Sequence, residues 1–174
     1  MRFYLRRIDT QTRGNRYDVT PLFADAVAFD ALVSDLVALH KPVRPDRVGC
    51  LDALGFILGA AIARELGVGI VPLRKGGKLP VEAEGERFTD YSGSEKTLEV
   101  RPDMISAGHR ILLVDDWIET GSQISAAIRL VERMGGVVVG IAAIHMDQNP
   151  QTEVLRKRYR VRAASWLDAE EERN

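Results

Sequence analysis

Residues 111–123 read Ile-Leu-Leu-Val-Asp-Asp-Trp-Ile-Glu-Thr-Gly-Ser-Gln and carry more structural information than any other part of the chain. The four apolar residues at the start predict a buried strand, and Asp115 and Asp116 follow at its carboxyl end. The Thr120-Gly121-Ser122 loop then opens a helix whose apolar residues recur at helical spacing. The segment therefore predicts a strand, a pair of carboxylates, a tight loop and a helix in immediate succession.

This succession suits a phosphosugar. The amino terminus of a helix presents free N–H groups that bind phosphate. Adjacent carboxylates accept hydrogen bonds from sugar hydroxyls, directly or through a divalent ion. We expect Asp115 and Asp116 to face ribose hydroxyls while the Thr120-Gly121-Ser122 loop binds a 5′-phosphate. Gly121 allows close backbone approach, whereas a plainer interpretation makes the acid pair an ordinary turn or helix cap.

The rest of the chain alternates between apolar strands and helices. Continuous apolar strands of this kind are typical of a parallel sheet covered on both faces, so we predict an α/β fold. The predicted helices are 25–40 (preceded by a helix start at Thr20-Pro21), 56–66 and 122–134; the predicted strands are 48–51, 69–73, 110–114, 137–144 and 160–165; residues 87–91 and 97–100 form a predicted polar hairpin.

Length and composition limit the possibilities further. The 174 residues predict one domain, 1–174, with a hood at 1–22, a core at 23–166 that includes a flexible hairpin lid at about 81–100, and a loose tail at 167–174. The formal net charge of −1 gives no electrostatic attraction to nucleic acid, and the basic run 156–158 is interpreted as a solvated helix end. No apolar run is long enough to cross a membrane.

The cysteine and the histidines suggest no chemistry of their own. The single cysteine, Cys50, excludes an internal disulfide, is expected to be a buried structural thiol and fits a reducing cytoplasm. His40, His109 and His145 lack the spacing of metal ligands and are predicted at surface or strand-end positions.

Two further polar clusters follow predicted strands. Asp52 comes after the first strand, and a basic, glycine-rich loop with Arg74, Lys75 and Lys78 comes after the second. Because ligands of such sheets lie beyond the carboxyl ends of the strands, these cations could neutralise a pyrophosphate leaving group; alone, the loop would be interpreted as a solvated surface segment.

The hairpin contributes the third cluster, Asp90-Tyr91. Its plain interpretation is a hairpin turn. Its functional interpretation is a lid that excludes water from an activated sugar and carries a carboxylate able to shuttle a proton from the incoming base.

Four blocks of the chain resemble, in order and separation, those of the adenine phosphoribosyltransferase family, a branch of the type I phosphoribosyltransferases. The blocks are residues 17–22, 52–59, 71–80 and 111–123. The resemblance implies the type I phosphoribosyltransferase fold and the condensation of a purine base with phosphoribosyl pyrophosphate. It further implies dependence on Mg²⁺, held through substrate and waters without direct side-chain ligation, and a homodimer.

The resemblance also assigns roles to individual residues. It places the ribose hydroxyls at Asp115 and Asp116 and catalysis at the lid residues Asp90 and Tyr91. The 5′-phosphate loop comprises Glu119, Thr120, Gly121, Ser122 and Gln123; pyrophosphate binds at Arg74, Lys75, Lys78, Asp52 and Ala53; the base lies under Asn15, Arg16 and Tyr17 of the hood.

Some positions depart from the family pattern and keep alternatives open. Leu54 stands where an arginine normally reaches pyrophosphate, Glu119 adds a negative charge to the phosphate loop, Arg16 replaces a hood aromatic, and Trp117 replaces an aliphatic residue. Adenine is the predicted acceptor, with hypoxanthine, guanine, xanthine or a non-standard base as alternatives. A sensor that binds the sugar donor or a nucleotide with little catalysis is the second alternative.

Overall fold

A seven-stranded sheet forms the centre of the computed structural model, which describes residues 1–13, 17–90 and 92–167. The strands are β1 (Arg47–Leu51), β2 (Gly69–Lys75), β3 (Glu84–Thr89), β4 (Glu95–Val100), β5 (Arg110–Val114), β6 (Trp117–Ile118), β7 (Val137–Ala143), β8 (His145–Met146) and β9 (Val161–Ala163). The helices are α1 (Thr20–Ala24), α2 (Ala26–His40), α3 (Leu54–Leu66), α4 (Ser122–Arg133) and α5 (Pro150–Arg158).

The sheet is mostly parallel, as predicted. Its order is β3-β4-β2-β1-β5-β7-β9, in which β2, β1, β5, β7 and β9 run parallel and the β3–β4 hairpin joins one edge antiparallel. The short strands β6 and β8 form a separate parallel pair beyond the ends of β5 and β7. This arrangement brings the carboxyl ends of β1, β2 and β5 to one edge of the sheet.

Two apolar cores lie on opposite faces of the sheet. Alternate residues of β5 supply both, since Ile111 and Leu113 join the core under α4 whereas Leu112 and Val114 join the core under α2 and α3. Burial of both faces explains why this strand is apolar without interruption. The prediction of helices on both sides of a central sheet is therefore confirmed.

The ends of the helices follow from local chemistry. The Asp25 carboxylate caps α2 by accepting hydrogen bonds from the N–H groups of Val27 and Ala28, each at 3.1 Å. Gly67 ends α3 in the left-handed conformation, with φ of 70°, which a glycine adopts without steric cost.

Cys50 is buried in β1, as predicted, directly beneath α3. A Cβ atom placed on Gly59 of α3 would lie only 2.3 Å from the Cys50 sulfur, so only glycine allows this close approach of helix and strand. Burial raises the pKa of the Cys50 thiol to about 12.

Several helix and strand boundaries differ from the predicted ones. Strand β2 continues through Lys75, two residues past its predicted end, because Arg74 and Lys75 pair with Glu99 and Leu98 of β4. The hairpin strands are longer than predicted, α3 starts at Leu54 instead of residue 56, and the pair β6–β8 was not predicted.

The surface or strand-end position predicted for His40 is wrong. Its side chain is fully buried, with Nδ1 2.9 Å from the Leu36 carbonyl oxygen and Nε2 3.2 Å from that of Ile141. These two backbone partners allow an imidazole to replace an apolar side chain in the core, and burial lowers the pKa of His40. Among the helices of the described residues, none is both long and apolar enough to span a membrane.

Candidate active site

A cavity of about 850 Å³ opens at the carboxyl ends of β1, β2 and β5. The β3–β4 hairpin closes one side of it and the start of α4 forms another. The predicted site residues that line this cavity are Asp52, Ala53, Lys75, Asp90, Asp115, Asp116, Glu119, Thr120, Gly121 and Gln123. Polar side chains that are distant in sequence therefore meet around one space large enough for a nucleotide-sized ligand.

Other predicted residues lie elsewhere. Four predicted residues do not line the cavity: Ser122, Arg74, Lys78 and Tyr17. The first three each adjoin a lining residue in the sequence, and the Tyr17 ring packs against that of Trp117. Asn15, Arg16 and Tyr91, together with the tail from residue 168 onward, lie outside the described residues.

The two adjacent carboxylates have different environments. Asp115 is buried, and one of its carboxylate oxygens accepts a hydrogen bond from the Asp116 N–H group at 3.0 Å. Burial, and then the negative charge of Asp116, raise the pKa of Asp115 well above its ordinary value, while the Lys75 cation opposes that shift. A Cβ atom on Gly55 would lie 2.8 Å from the Val114 carbonyl oxygen, so α3 packs directly behind the acid pair.

The loop before α4 has the conformation expected of an anion site. Gly121 has φ of 83°, a left-handed conformation that residues with side chains rarely adopt, and it is the N-cap residue directly before α4. The first N–H groups of any α-helix lack intrahelical partners and carry partial positive charge. The Ser122 N–H group lies 3.2 Å from the Thr120 hydroxyl oxygen, and the Gln123 side-chain amide donates to the Asp52 carbonyl oxygen at 3.3 Å.

Helix α5 supports this loop from outside the cavity. The Asn149 side chain caps α5 by accepting from the Gln151 and Thr152 N–H groups, and its own amide donates to the Glu119 carbonyl oxygen at 2.8 Å. A Cβ atom on Gly121 would lie 3.3 Å from side-chain atoms of Thr152. This support was missed from the sequence, where Asn149-Pro150 was the only local signal of a helix start.

The cations of the basic segment 74–78 differ in whether they reach the cavity. Lys75 lines the cavity, and its backbone N–H group lies 3.5 Å from a carboxylate oxygen of Asp52, whose peptide bond to Ala53 is cis. In contrast, Arg74 donates to the Lys78 carbonyl oxygen at 2.9 Å and so closes its own loop. Of the three cations predicted to meet pyrophosphate, the geometry brings only Lys75 to the cavity wall.

Asp90 organises the tip of the hairpin. Its carboxylate accepts hydrogen bonds from the Ser92 hydroxyl at 2.6 Å, the Ser92 N–H group at 2.9 Å and the Ser94 N–H group at 3.1 Å. These hydrogen bonds, led by that of the Ser92 hydroxyl, lower the pKa of Asp90. The carboxylate is a weak proton acceptor in this arrangement, and the proton-shuttle role of Asp90 stays a prediction.

Comparison with known proteins agrees with this geometry. The family model of the phosphoribosyl transferase domain matches residues 21–170. An adenine phosphoribosyltransferase of Cereibacter sphaeroides is 46% identical over 127 residues, which are 73% of this chain and 71% of that protein. The chain belongs to the adenine phosphoribosyltransferase family.

Solved structures of the same family have the same fold. The adenine phosphoribosyltransferase of Thermoanaerobacter pseudethanolicus superimposes with a TM-score of 0.83 at 32% identity, covering 92% of this chain and 95% of that one. The enzyme of Giardia lamblia, crystallised with 9-deazaadenine, gives a TM-score of 0.81 at 30% identity, covering 91% and 92%. The predicted type I phosphoribosyltransferase fold is confirmed.

In this family member, the hairpin is attached to α4 by charged side chains. The Arg129 guanidinium donates to a carboxylate oxygen of Glu86 at 2.7 Å, and Arg133 pairs with the other oxygen of the same carboxylate. Arg133 also donates to the Gly85 carbonyl oxygen at 2.7 Å. We call Glu86, Arg129 and Arg133 the hairpin latch; it connects the β3–β4 hairpin to α4.

Further residues of the cavity wall were not predicted as site residues. Leu54 lines it at the start of α3, Trp117 lies beside the acid pair, and Phe88 and Lys96 come from opposite strands of the hairpin. Trp117 could have been found from its position directly after the acids. The hairpin residues carry no motif and become visible only when the strand pairing is known.

The donor atoms of the cavity suit Mg²⁺. Asp115 and Asp116 present carboxylate oxygens, which are the hard ligands that this ion prefers while it retains several waters. Within residues 1–13, 17–90 and 92–167, no group of three or more His, Cys, Asp or Glu side chains is placed to hold a metal ion. An ion bound beside the acid pair would be held through waters and substrate oxygens.

Proposed function

We propose that this chain transfers the 5-phosphoribosyl group of phosphoribosyl pyrophosphate to adenine, giving adenosine monophosphate and pyrophosphate. The observation that carries the proposal is the single cavity in which the Asp115-Asp116 pair, the start of α4 and Lys75 surround one space. Sugar hydroxyls, a 5′-phosphate and a pyrophosphate group need three different partners, and these three elements have the corresponding chemistry. Family membership supports the same assignment.

The chain's own residues would act mainly by positioning and charge. The Asp115 and Asp116 carboxylates accept hydrogen bonds from the ribose hydroxyls, and the loop at Gly121 binds the 5′-phosphate. With both ends of the sugar fixed, the anomeric carbon is held between the incoming base and the leaving pyrophosphate. The bond to pyrophosphate breaks as the bond to the base nitrogen forms, and Lys75 stabilises the negative charge that accumulates on the leaving group.

Mg²⁺ is proposed as the required ion, and its positive charge would offset that of the diphosphate. The cavity wall supports this requirement, since Lys75 and Lys96 face a larger number of carboxylates, including Asp52, Glu99, Asp116 and Glu119. The hairpin would exclude water over the bound sugar, and Asp90 would take the proton from the base nitrogen once the lid hydrogen bonds rearrange.

The test is nucleotide formation from phosphoribosyl pyrophosphate and Mg²⁺, with adenine, hypoxanthine, guanine and xanthine offered separately. We expect turnover with adenine and loss of turnover when the ion is removed by chelation. Turnover with another base alone would contradict the adenine assignment. A folded protein that forms no nucleotide from any of the four bases would contradict the enzymatic proposal.

A sensor of the sugar donor or of a nucleotide is the second candidate. Leu54 and Glu119 favour it, because both lie on the cavity wall and neither can stabilise the negative charge that accumulates on a departing pyrophosphate. Titration calorimetry separates the two candidates, since a sensor binds phosphoribosyl pyrophosphate tightly while the base assay remains blank.

We also propose a cytoplasmic homodimer. The single buried cysteine fits a reducing compartment, and exposed apolar side chains on α3 and β2, Ile57 and Ile70, offer surface for a second copy. Light scattering in solution tests the dimer: a mass near 19.3 kDa would contradict it, and twice that mass would support it.

A further inference from the structure

The Asn149 side chain joins α5 to the loop before α4 through a single amide group. Its carbonyl oxygen caps α5 by accepting hydrogen bonds from the N–H groups of Gln151 and Thr152, each at 3.0 Å. Its NH2 group donates to the Glu119 carbonyl oxygen at 2.8 Å. Because an amide is both an acceptor and a donor, asparagine makes all of these contacts at once. Aspartate and serine also cap helices well, but an ionised aspartate has no hydrogen to donate and a serine side chain ends one atom earlier.

The position of Asn149 is fixed by contacts with the segment that follows the central sheet. The Asp147 N–H group donates to the Ile118 carbonyl oxygen at 2.9 Å, next to the pairing of β6 with β8. The hydroxyl of Thr152, which is fully buried, donates to the Asp147 carbonyl oxygen at 2.7 Å and accepts from the Asn149 N–H group at 3.0 Å. The Asn149 amide is therefore held against the loop by contacts within the chain.

The hydrogen bond to Glu119 determines the direction of a peptide group on the cavity wall. The peptide bond between Glu119 and Thr120 is trans, so its C=O and N–H groups point in opposite directions. Both residues line the cavity, whereas, among the described residues, neither Asn149 nor any residue of α5 does. The carbonyl group directed at Asn149 thus points away from the cavity, and the Thr120 N–H group of the same peptide points toward it.

A rotation of this peptide would reverse the partial charge that it presents to a ligand. Each peptide group is a dipole, with partial positive charge at the N–H group and partial negative charge at the carbonyl oxygen. With the Glu119 carbonyl group turned inward, an anion at the start of α4 would meet an acceptor oxygen in place of a donor. The Glu119 side chain already adds a carboxylate to this wall, so a further oxygen would weaken anion binding more.

We propose that Asn149 is a positioning residue for the 5′-phosphate of phosphoribosyl pyrophosphate. Its amide keeps the peptide between Glu119 and Thr120 with the N–H group toward the phosphate, although Asn149 itself does not reach the cavity. The proposal rests on the proposed function, which assigns the loop before α4 to the 5′-phosphate. It extends that assignment to a residue on the far side of the loop.

Binding of ribose 5-phosphate tests the proposal without turnover. N149S keeps a cap on α5 but removes the donor to Glu119. We expect N149S to raise the Kd for ribose 5-phosphate, measured by titration calorimetry, by about 10-fold, the order expected for one hydrogen bond to a charged group. An unchanged Kd in N149S would overturn the proposal.

A comparison of N149S with N149A separates positioning from the stability of α5. N149A removes the cap as well as the donor, so its Tm should lie about 2–4 °C below that of N149S. The two variants should nevertheless bind ribose 5-phosphate with similar affinity, because both lack the contact with Glu119. Much weaker binding by N149A than by N149S would show that affinity follows the stability of the helix, and would contradict the positioning role.

N149D provides a variant of nearly the same size that keeps the cap. Its carboxylate oxygen replaces the donor and repels the Glu119 carbonyl oxygen, so the Kd for ribose 5-phosphate should rise at least as much as in N149S. Q148E is the matched control, since Gln148 is the exposed neighbour of Asn149 and the substitution adds the same charge. We expect Q148E to change the Kd by less than about 2-fold. Equal effects of N149D and Q148E would mean that charge alone acts, and would overturn the proposal.

Kinetics test the same contact by separating the two substrates. We expect N149S to raise the KM for phosphoribosyl pyrophosphate by about 10-fold and the KM for adenine by less than about 2-fold, because adenine carries no phosphate. A rise of the same size in both KM values would indicate a general disturbance of the cavity and would contradict the positioning role.

Failure of this proposal is distinguishable from failure of the proposed function. If the unmodified chain binds ribose 5-phosphate but forms no nucleotide from adenine, the enzymatic assignment fails, and weaker binding by N149S still supports the positioning role. If the chain is active while N149S and N149D bind ribose 5-phosphate as tightly as the unmodified chain, the assignment stands and the positioning role is overturned. If the unmodified chain does not bind ribose 5-phosphate, both fail.

Discussion

Residues 115–123, which contain the acid pair and the loop before α4, and the β3–β4 hairpin face each other across one cavity, yet they are held by different kinds of contact. Residues 115–123 form a continuous stretch fixed by the backbone of the central sheet and by the start of α4. The hairpin lies at the sheet edge and is attached to α4 by the hairpin latch. The first region is thus held by backbone structure on both sides, whereas the hairpin is held by the pairing of β4 with β2 at the sheet edge and by the charged side chains of the latch.

The largest effect should follow from removing the acid pair. The double substitution of Asp115 and Asp116 by Asn is expected to lower kcat by about 10³-fold or more, because the ribose loses the hydrogen bonds that orient it. Circular dichroism should show an unchanged fold. A well-folded double variant with normal activity would contradict the proposed sugar site.

Stability should change in the opposite direction to activity. The folded pKa of Asp115 is raised above its model-compound value of 3.8, so ionisation of this buried group disfavours the folded state. The contribution of Asp115 to the free energy of unfolding is largest at low pH and is lost as pH rises through the raised pKa. The D115N variant should therefore gain about 2–4 °C in Tm at pH 7, which is about 1 kcal/mol, and less at pH 4. A lower Tm at pH 7 would contradict the burial argument.

An intermediate effect is expected from opening the hairpin latch. E86Q removes the charge that pairs with Arg129 and Arg133, so the hairpin should be cut faster by protease and the KM for phosphoribosyl pyrophosphate should rise by about 3-fold to 10-fold. The matched control is E84Q, because Glu84 lies 3.9 Å from Arg133 and is half-exposed. Equal proteolysis of the two variants would show that the latch does not hold the hairpin against α4.

The stabilisation that the latch provides should also depend on pH, in a direction that follows from the pKa of Glu86. Hydrogen bonds from Arg129 and then Arg133 lower the pKa of Glu86. A lowered folded pKa gives stabilisation that is present above the ordinary value near 4.5 and is lost as pH falls through the lowered one. Proteolysis of the hairpin should therefore accelerate in acid in the unmodified chain, and E86Q should lack that acceleration.

The smallest effect on substrate affinity is expected from a substitution of Leu54, which lines the cavity at the start of α3. L54R places a cation beside the predicted pyrophosphate position and should lower the KM for phosphoribosyl pyrophosphate by about 2-fold to 5-fold. Because the residue begins α3, repulsion between the new cation and the positive end of the helix dipole should lower the stability of L54R by about 0.3–1 kcal/mol. L54M is the apolar control. An unchanged KM in L54R would mean that another group, such as Lys75, already provides the needed charge.

The same contrast explains which features the sequence predicts. The cavity wall formed by the acid pair and the loop before α4 is encoded within residues 111–123, where strand, acids, loop and helix follow without interruption. The hairpin latch joins Glu86 to Arg133, and the indole N–H group of Trp117 donates to Asp147; neither contact leaves a local pattern. The position predicted for His40 was wrong for the same reason, since one of its two partner carbonyls belongs to Ile141, on a strand distant in sequence.

The chemical reactivity of the single cysteine can be used to measure local unfolding of the core. Cys50 lies at the centre of the sheet with α3 in contact above it, and its raised pKa leaves little of the reactive thiolate. A thiol reagent can reach Cys50 only after β1 and α3 separate, so the labelling rate measures how often this part of the core opens by local unfolding. Since the cavity begins at Asp52, two residues further along, the slowing of that rate by each substrate would report how strongly ligand and fold support one another.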